Sequence, residues 1–419
     1  MLEWVKELAR RILVESISYP TFLGESYGEI VNYYASVLRD FGVHVTVHKV
    51  PQEYVISNVP VIAGPSKPRY ILLARVGSGE RVLQFNGHYD VVPPGGGWST
   101  TEPFNPKEVD GRIYGRGATD MKGGIASFTA AIAYLASTSE LKELVIEGAY
   151  VPDEEVGGLT GTGYLIRELG SRPDLAIIAE PSGLGKIWIG HRGNVWLEVV
   201  VKGRQTHGST PWLGVNAFEK MIYLAKEFVE KYKPFLESKR SSYEYDFPEA
   251  GRPTINVGGR ISSANAINIV PGEASFSIDR RLVIEEDLEQ VVEELKEFLN
   301  KAAAATSAEI DVKLVGKSAP ALTNPNSTLV KELVGVVNRV IGVAPRLIVC
   351  SGGLDLRYYR DFKIDVVAYG PGAPSAAHVA DEYIELRDVY KATEIYIEFI
   401  KVLQSLGAEG IAQRGSAAG

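Results

Sequence analysis

The sequence predicts an α/β protein. Its catalytic domain has a mostly parallel central sheet flanked by helices and is interrupted by an inserted ferredoxin-like α+β domain. Three observations carry this expectation. In the first part, strand-like apolar runs alternate with helical periodicity, the pattern of a sheet covered by helices. In the middle the order changes to β-α-β-β-α-β, the ferredoxin-like arrangement. After Gly316 the α/β alternation resumes, so two stretches of one domain enclose another. The expected boundaries are 1–192 and 317–406 for the catalytic domain and 193–316 for the inserted lid and dimerisation domain. Residues 407–419, rich in Gly, Ala and Ser, are expected to be a flexible tail.

Each element has a local reason. The start of the chain is an amphipathic helix pattern broken by charges, and residues 26–40 repeat apolar side chains at helical spacing until Gly42. Residues 43–50, 70–76 and 82–85 read as strands, 121–136 as a helix after a glycine-rich loop, and 144–151 and 175–179 as strands. In the middle, 195–201, 254–258, 274–282 and 309–315 are strands, while 216–232 and 286–303 are helices. The last part has helical patterns at 327–340 and 387–403, with an apolar run at 364–369 between them.

The chain has 419 residues, 45% hydrophobic and 23% charged, which suits a globular protein of two or three domains. A formal charge of −8, with no basic stripe among aromatics, argues against nucleic acid as a partner. The beginning lacks the apolar core of a signal peptide, and no stretch is apolar enough to span a membrane, so a cytoplasmic protein is expected. Cys350 is the only cysteine, which excludes an intrachain disulfide; ending an apolar run, it reads as a buried structural thiol.

His88, Asp120, Glu155, Glu180 and His378 stand out. Four of them fall at or soon after the end of an apolar strand-like run; Asp120 instead follows the loop Gly115-Arg116-Gly117-Ala118-Thr119. In an open α/β sheet the crevice beyond the strand carboxyl ends is where ligands bind. Carboxylates and imidazoles gathered there without thiolates suit a divalent metal. Asp90, two residues from His88 in an extended segment, shares its face and can orient the imidazole. Taken singly these positions have plainer readings: a solvated His–Asp pair, an N-cap at Asp120, a surface loop at His378. Glu154-Glu155 says more. Adjacent side chains diverge, so one carboxylate can hold a metal while the other faces the reacting water.

Together these segments resemble one family in order and spacing. They are Gly87-His88-Tyr89-Asp90-Val91-Val92-Pro93, Gly115 to Gly124, Asp153-Glu154-Glu155, Glu180-Pro181-Ser182, and Ala377-His378 with Asp381-Glu382. The chain is similar to the co-catalytic zinc deacylases and peptidases that include acetylornithine deacetylase, succinyl-diaminopimelate desuccinylase, aminoacylase and glutamate carboxypeptidase. The resemblance runs from about residue 1 to 403. It implies two divalent metal ions, zinc first, with cobalt or manganese able to substitute. Asp120 would bridge them, His88 and Glu180 would complete one ion's ligands, and Glu155 and His378 the other's. It also implies Glu154 as general base and proton donor, Asp90 as the partner of His88, and a cis peptide at Asp120–Met121.

The inserted domain extends the resemblance. Thr206-His207-Gly208-Ser209-Thr210-Pro211 looks like the family's lid motif, whose histidine reaches across a homodimer to stabilise an oxyanion. Asn268 and Arg281 look like holders of the substrate's α-carboxylate, with Arg281 as the bidentate clamp and Arg280 on the opposite face. Ser351-Gly352-Gly353-Leu354-Asp355 resembles the substrate loop, with Leu354 where many relatives have threonine; Gly352 and Gly353 offer backbone N–H groups to an anion. Arg357 is a further basic candidate.

The function expected is metal-dependent hydrolysis of the amide of an N-acyl amino acid, of the acetylornithine deacetylase or succinyl-diaminopimelate desuccinylase type. A dipeptidase or carboxypeptidase using the same groups is the alternative. A non-catalytic, metal-stabilised binding protein is disfavoured, because every ligand and Glu154 are present.

Overall fold

The computed structural model describes residues 1–138, 141 and 143–406, so the expected tail at 407–419 lies outside the described residues. The chain divides into two units: residues 1–189, 323–347 and 354 onward form the first, and residues 190–322 with 348–353 form the second. The segment 348–353, expected with the later catalytic stretch, belongs with the second unit. Its Ser351 N–H and hydroxyl donate to Asp246, and Val349 bridges Tyr245.

The sheet of the first unit runs in the order His44–Lys49, Tyr70–Val76, Leu144–Val151, Arg81–His88, Leu175–Ile178, Asp365–Ala368. The first two pairings are antiparallel and the remaining three parallel. Its central strands are buried on both faces because helices cover them, and the polar side chains on one face of Arg81–His88 are hydrogen-bonded, Gln84 to Glu147 and Asn86 to Tyr359. Helix Gly123–Thr138 is buried nearly all round, and Glu3–Ile17 and Leu386–Ser405 pack on it. Glu3–Ile17 turns Val5, Leu8, Ala9, Ile12 and Leu13 inward at the spacing of one helical face. Thr328–Ile341 starts where the Ser327 hydroxyl accepts the Val330 N–H at 3.3 Å, and ends at Gly342 in the left-handed conformation.

The second unit is a four-stranded antiparallel sheet in the order Thr254–Ser262, Glu273–Leu282, Gly193–Lys202, Glu309–Ser318. Helices Ala217–Glu227 and Leu288–Thr306 fill the β-α-β-β-α-β order, with Asn216 and Asp287 as side-chain N-caps. Leu197, Val199, Phe276 and Ile278 of the sheet meet Met221, Leu224, Leu295 and Leu299 of the helices in one core.

Some elements differ from expectation. The helix expected from residue 121 begins at Gly123, because Asp120 and Met121 have non-helical dihedrals. Thr254–Ser262 is longer than expected and carries an irregularity between Val257 and Ile261, where Gly258 takes a positive φ. The sequence reading missed strand Lys186–His191. It also missed a small sheet that joins Lys107–Val109, Arg112–Tyr114 and Tyr383–Glu385. Three-residue strands show too little alternation to be read from sequence.

Candidate metal centre

Parallel strands deliver the chemistry to one end of the first unit's sheet. In register, His88 lies opposite Val151, Asn86 opposite Ile178, and Ile178 opposite Ala368. His88 therefore ends its own strand, Glu154 and Glu155 follow Val151 by one short turn, and Glu180 lies two residues past Ile178. Asp120 enters from the glycine loop before the buried helix, and the Asp120–Met121 peptide bond is cis.

The structure brings His88, Asp120, Glu154, Glu155, Glu180 and His378 together. Asp120 is at the middle: its Oδ1 is 3.1 Å from His88 Nε2, and its Oδ2 is 3.2 Å from His378 Nε2. His378 Nε2 is also 3.0 Å from Glu155 Oε1, and His88 Nε2 is 3.8 Å from Glu180 Oε1. Potential ligand atoms fall into two clusters, His88 with Glu154 and Glu180, and Asp120 with Glu155 and His378. Within each cluster they lie no more than 4.8 Å apart.

Asp90 faces His88 with both its main chain and its side chain. The nearer partner of His88 Nδ1 is the Asp90 main-chain carbonyl at 3.0 Å, with the carboxylate at 3.5 Å. That carboxylate also accepts the backbone N–H groups of both Glu154 and Glu155, at 3.2 Å each. It clamps the turn that carries the expected base and one expected ligand.

A second buried carboxylate steadies the same turn. Asp153 has a left-handed φ of 63°, uncommon for a residue with a side chain. It accepts from Arg69 Nε at 2.6 Å and from the Tyr27 hydroxyl at 3.1 Å, and Thr160 also donates to it. The Arg69 guanidinium is spent on this and on the carbonyls of Ala63 and Lys67. Asp153 figured in the sequence only within Asp153-Glu154-Glu155, with no role of its own, and Arg69 was not singled out, because it lies in a loop with no periodicity around it. Arg357, an expected basic candidate, is likewise tied down. Its Nη2 donates to the Gly157 carbonyl at 2.8 Å, and its Nη1 donates to that of Leu354 at 3.2 Å.

The electrostatics mark this as a cation site. Burial pushes the Glu180 carboxyl up to about 8; the charge of His88 opposes the rise, and Asp120 and Glu155 add to it. Burial also drives Glu154 well above the usual carboxylate range, helped by Glu180 and Asp355, and it raises Glu155. Burial opposes ionisation of Asp120 too, but hydrogen bonds from His378 and His88 outweigh it and hold that carboxyl below its ordinary range. His378, hydrogen-bonded to Asp120 and Glu155, is raised to about 10. Carboxyls crowded this way ionise together only when positive charge joins them. Glu180 Oε1 is buried and has no hydrogen-bond partner among the described residues. An oxygen and nitrogen donor set with a free carboxylate oxygen fits divalent ions.

The remaining expected residues lie in the second unit. His207 is exposed, its Nδ1 2.7 Å from the Ser209 hydroxyl. Its short strand pairs antiparallel with Ile269–Val270, and the Gly208 N–H donates to the Asn268 carbonyl at 2.7 Å. The lid-like and Asn268 segments are thus neighbours. Arg281 Nε is 2.8 Å from Asp279 Oδ1 on the same strand, and its guanidinium lies over the Trp196 ring. Arg280 points the other way, buried against Glu286 and Tyr232. Gly352 and Gly353 follow the Ser351–Asp246 contact. Cys350 is buried. Among the described residues no helix is long and apolar enough to cross a membrane.

The chain matches the sequence profile of peptidase family M20/M25/M40 over residues 84–402. A probable succinyl-diaminopimelate desuccinylase of Staphylococcus aureus (strain MRSA252) is 29% identical over 358 residues, which span 78% of this chain and 84% of the relative. The succinyl-diaminopimelate desuccinylase of Gluconacetobacter diazotrophicus is 30% identical over 357 residues, 83% of this chain and 88% of its own. Among crystal structures, the M20 family metallo-carboxypeptidase Sso-CP2 of Sulfolobus solfataricus has the same fold. Its TM-score is 0.73 at 24% identity, covering 97% of this chain and 100% of that one. The profile covers most of the sequence, and the relatives span most of it as well: this chain belongs to peptidase family M20/M25/M40 and is a hydrolase of amide bonds.

Proposed function

We propose that the protein hydrolyses the amide of N-acyl amino acids at a centre of two divalent ions, releasing a carboxylic acid and a free amino acid. One observation carries the reading: Asp120 presents one oxygen to each of two imidazoles, with Glu155 and Glu180 completing a donor set on either hand. Asp120 would be shared, His88 and Glu180 would hold one ion, and Glu155 and His378 the other. When bound, the ions, zinc first with cobalt or manganese as substitutes, polarise the scissile carbonyl and acidify a water.

Glu154 then takes the proton as the water oxygen attacks the carbonyl carbon, and delivers it to the amine as the C–N bond breaks. Asp90 keeps Glu154 and Glu155 at fixed heights by holding both their N–H groups. His207 would stabilise the developing oxyanion in a homodimer, with Arg281, Asn268 and the N–H groups of Gly352 and Gly353 meeting the substrate carboxylate. A fully active monomer would remove that role from His207. The desuccinylase names of two relatives support an acyl amino acid over a peptide.

The test is a turnover screen of acetylated and succinylated amino acids against small dipeptides, each with zinc, cobalt and manganese. Preference for dipeptides would replace the deacylase reading with the peptidase one. Glu154→Gln should keep both ions by metal analysis while turnover falls about 10²–10⁴-fold. Surviving turnover would remove Glu154 as the base.

A further inference from the structure

Glu382 and Arg116 belong to segments conspicuous in the sequence, yet neither is a ligand or the base. Both are buried, with side-chain exposures of 1% and 2%. One oxygen of Glu382 accepts the N–H of Thr119 at 2.9 Å and of Asp120 at 3.1 Å. The other takes Arg116 Nη1 at 2.6 Å. Arg116 Nη2 also donates to the Pro94 carbonyl at 3.0 Å, and its Nη1 to the Val379 carbonyl at 3.3 Å. The Trp98 ring lies under the guanidinium. Two main-chain ties reinforce the pair: the Gly115 N–H donates to the Glu382 carbonyl at 2.9 Å, and the Thr119 hydroxyl donates to that of Tyr383.

This pair connects the three segments that carry His88, Asp120 and His378. Val379 adjoins His378, itself in a left-handed turn with φ of 62°. Pro94 directly follows the segment Gly87–Pro93 that carries His88. A buried ion pair is weak as a source of stability, since apolar side chains of the same volume pack as well. What it supplies is direction: a planar fork and a carboxylate fix the amide plane from which Asp120 projects.

We propose that Glu382 and Arg116 are positioning residues. They align Asp120 with both imidazoles, so that the shared carboxylate meets two ions at once. The proposal rests on the metal reading above, and its test separates the two.

Chelated protein is refilled with zinc in a titration calorimeter, and with cobalt to read its visible absorption. The double variant Arg116→Met/Glu382→Met removes both charges together but leaves the Thr119 and Asp120 N–H groups without their acceptor, so it should melt, metal-free, below the unmodified chain, and is titrated at a temperature where circular dichroism shows it folded. Its affinity for at least one ion should fall about 10–100-fold, with a changed cobalt spectrum. Should the double variant not fold, Arg116→Lys keeps the charge, loses the fork and should weaken binding in the same direction. Two ions held as tightly by the folded variant as by the unmodified chain would overturn the proposal alone. Fewer than two ions taken up by the unmodified chain would overturn the metal reading and the proposal with it.

Discussion

At the scale of single residues, buried charge around the centre is balanced by partners that touch no ligand. Arg69 neutralises Asp153 at full burial, and Asp153 shapes the turn from which Glu154 and Glu155 project. Arg69→Met would leave a buried carboxylate with no cation beside it and only the Tyr27 and Thr160 hydroxyls as side-chain donors. A loss of about 3–5 kcal/mol is expected, the usual cost of breaking a buried pair on one side. It would be read as a lower urea midpoint with an unchanged slope. Arg69→Lys should recover part of it, since an ammonium restores the charge without the fork. A midpoint equal to that of the unmodified chain would mean that Asp153 does not depend on this contact. His88, Glu155, Glu180 and His378 drew notice in the sequence by falling at or soon after apolar strand-like runs, and Asp120 by closing a glycine loop, but their reading as ligands came from the resemblance of the whole series. The pairing of Arg69 with Asp153 was not legible. Their role comes from a contact 84 positions apart in the chain, and no local pattern records it.

At the scale of elements, the close approach of helix Gly123–Thr138 to the strand end near Glu180 sets the depth of the centre. A Cβ on Gly124 would lie 2.0 Å from the Ala179 carbonyl oxygen, next to Glu180. Gly124→Ala must therefore push the helix start away from the strand. A loss of about 1–3 kcal/mol is expected from overpacking, seen as a lower melting temperature. Weaker uptake of the ion assigned to Glu180 should accompany it in a calorimetric titration; unchanged uptake would show that the helix start does not govern Glu180. Long elements with strong periodicity were visible in the sequence, as in the ferredoxin-like unit, where alternation and helical spacing are unambiguous. The three-residue strands that tie Tyr383–Glu385 to Arg112–Tyr114 were not, because their pairing is decided by tertiary neighbours. That small sheet is nonetheless what brings Glu382 beside Asp120.

At the scale of the whole molecule, the metal-free chain should be least stable where its carboxyls ought to be ionised. Glu180 titrates at about 8 when folded against an ordinary value of 4.5. Between those values the folded chain keeps a proton that the unfolded chain has released. Stability fully present below pH 4.5 is therefore lost as pH rises towards 8. His378, raised to about 10 from 6.5, acts in the same direction above pH 6.5. Metal binding needs the deprotonated carboxylates and neutral imidazoles, so its contribution should grow over the same range. An ion at a thousand times its Kd adds about 4 kcal/mol. Melting curves at pH 5 to 8, with and without a chelator, should show the gap widening with pH; a gap that narrows would contradict the assignment. The interrupted path of the chain has its own effect on biosynthesis. His88, Asp120, Glu155 and Glu180 leave the ribosome long before the strand Asp365–Ala368 and His378, with the whole second unit made in between. On the two-ion reading proposed above, a nascent chain offers a half-built cage only, and the second ion's place is complete once His378 has emerged.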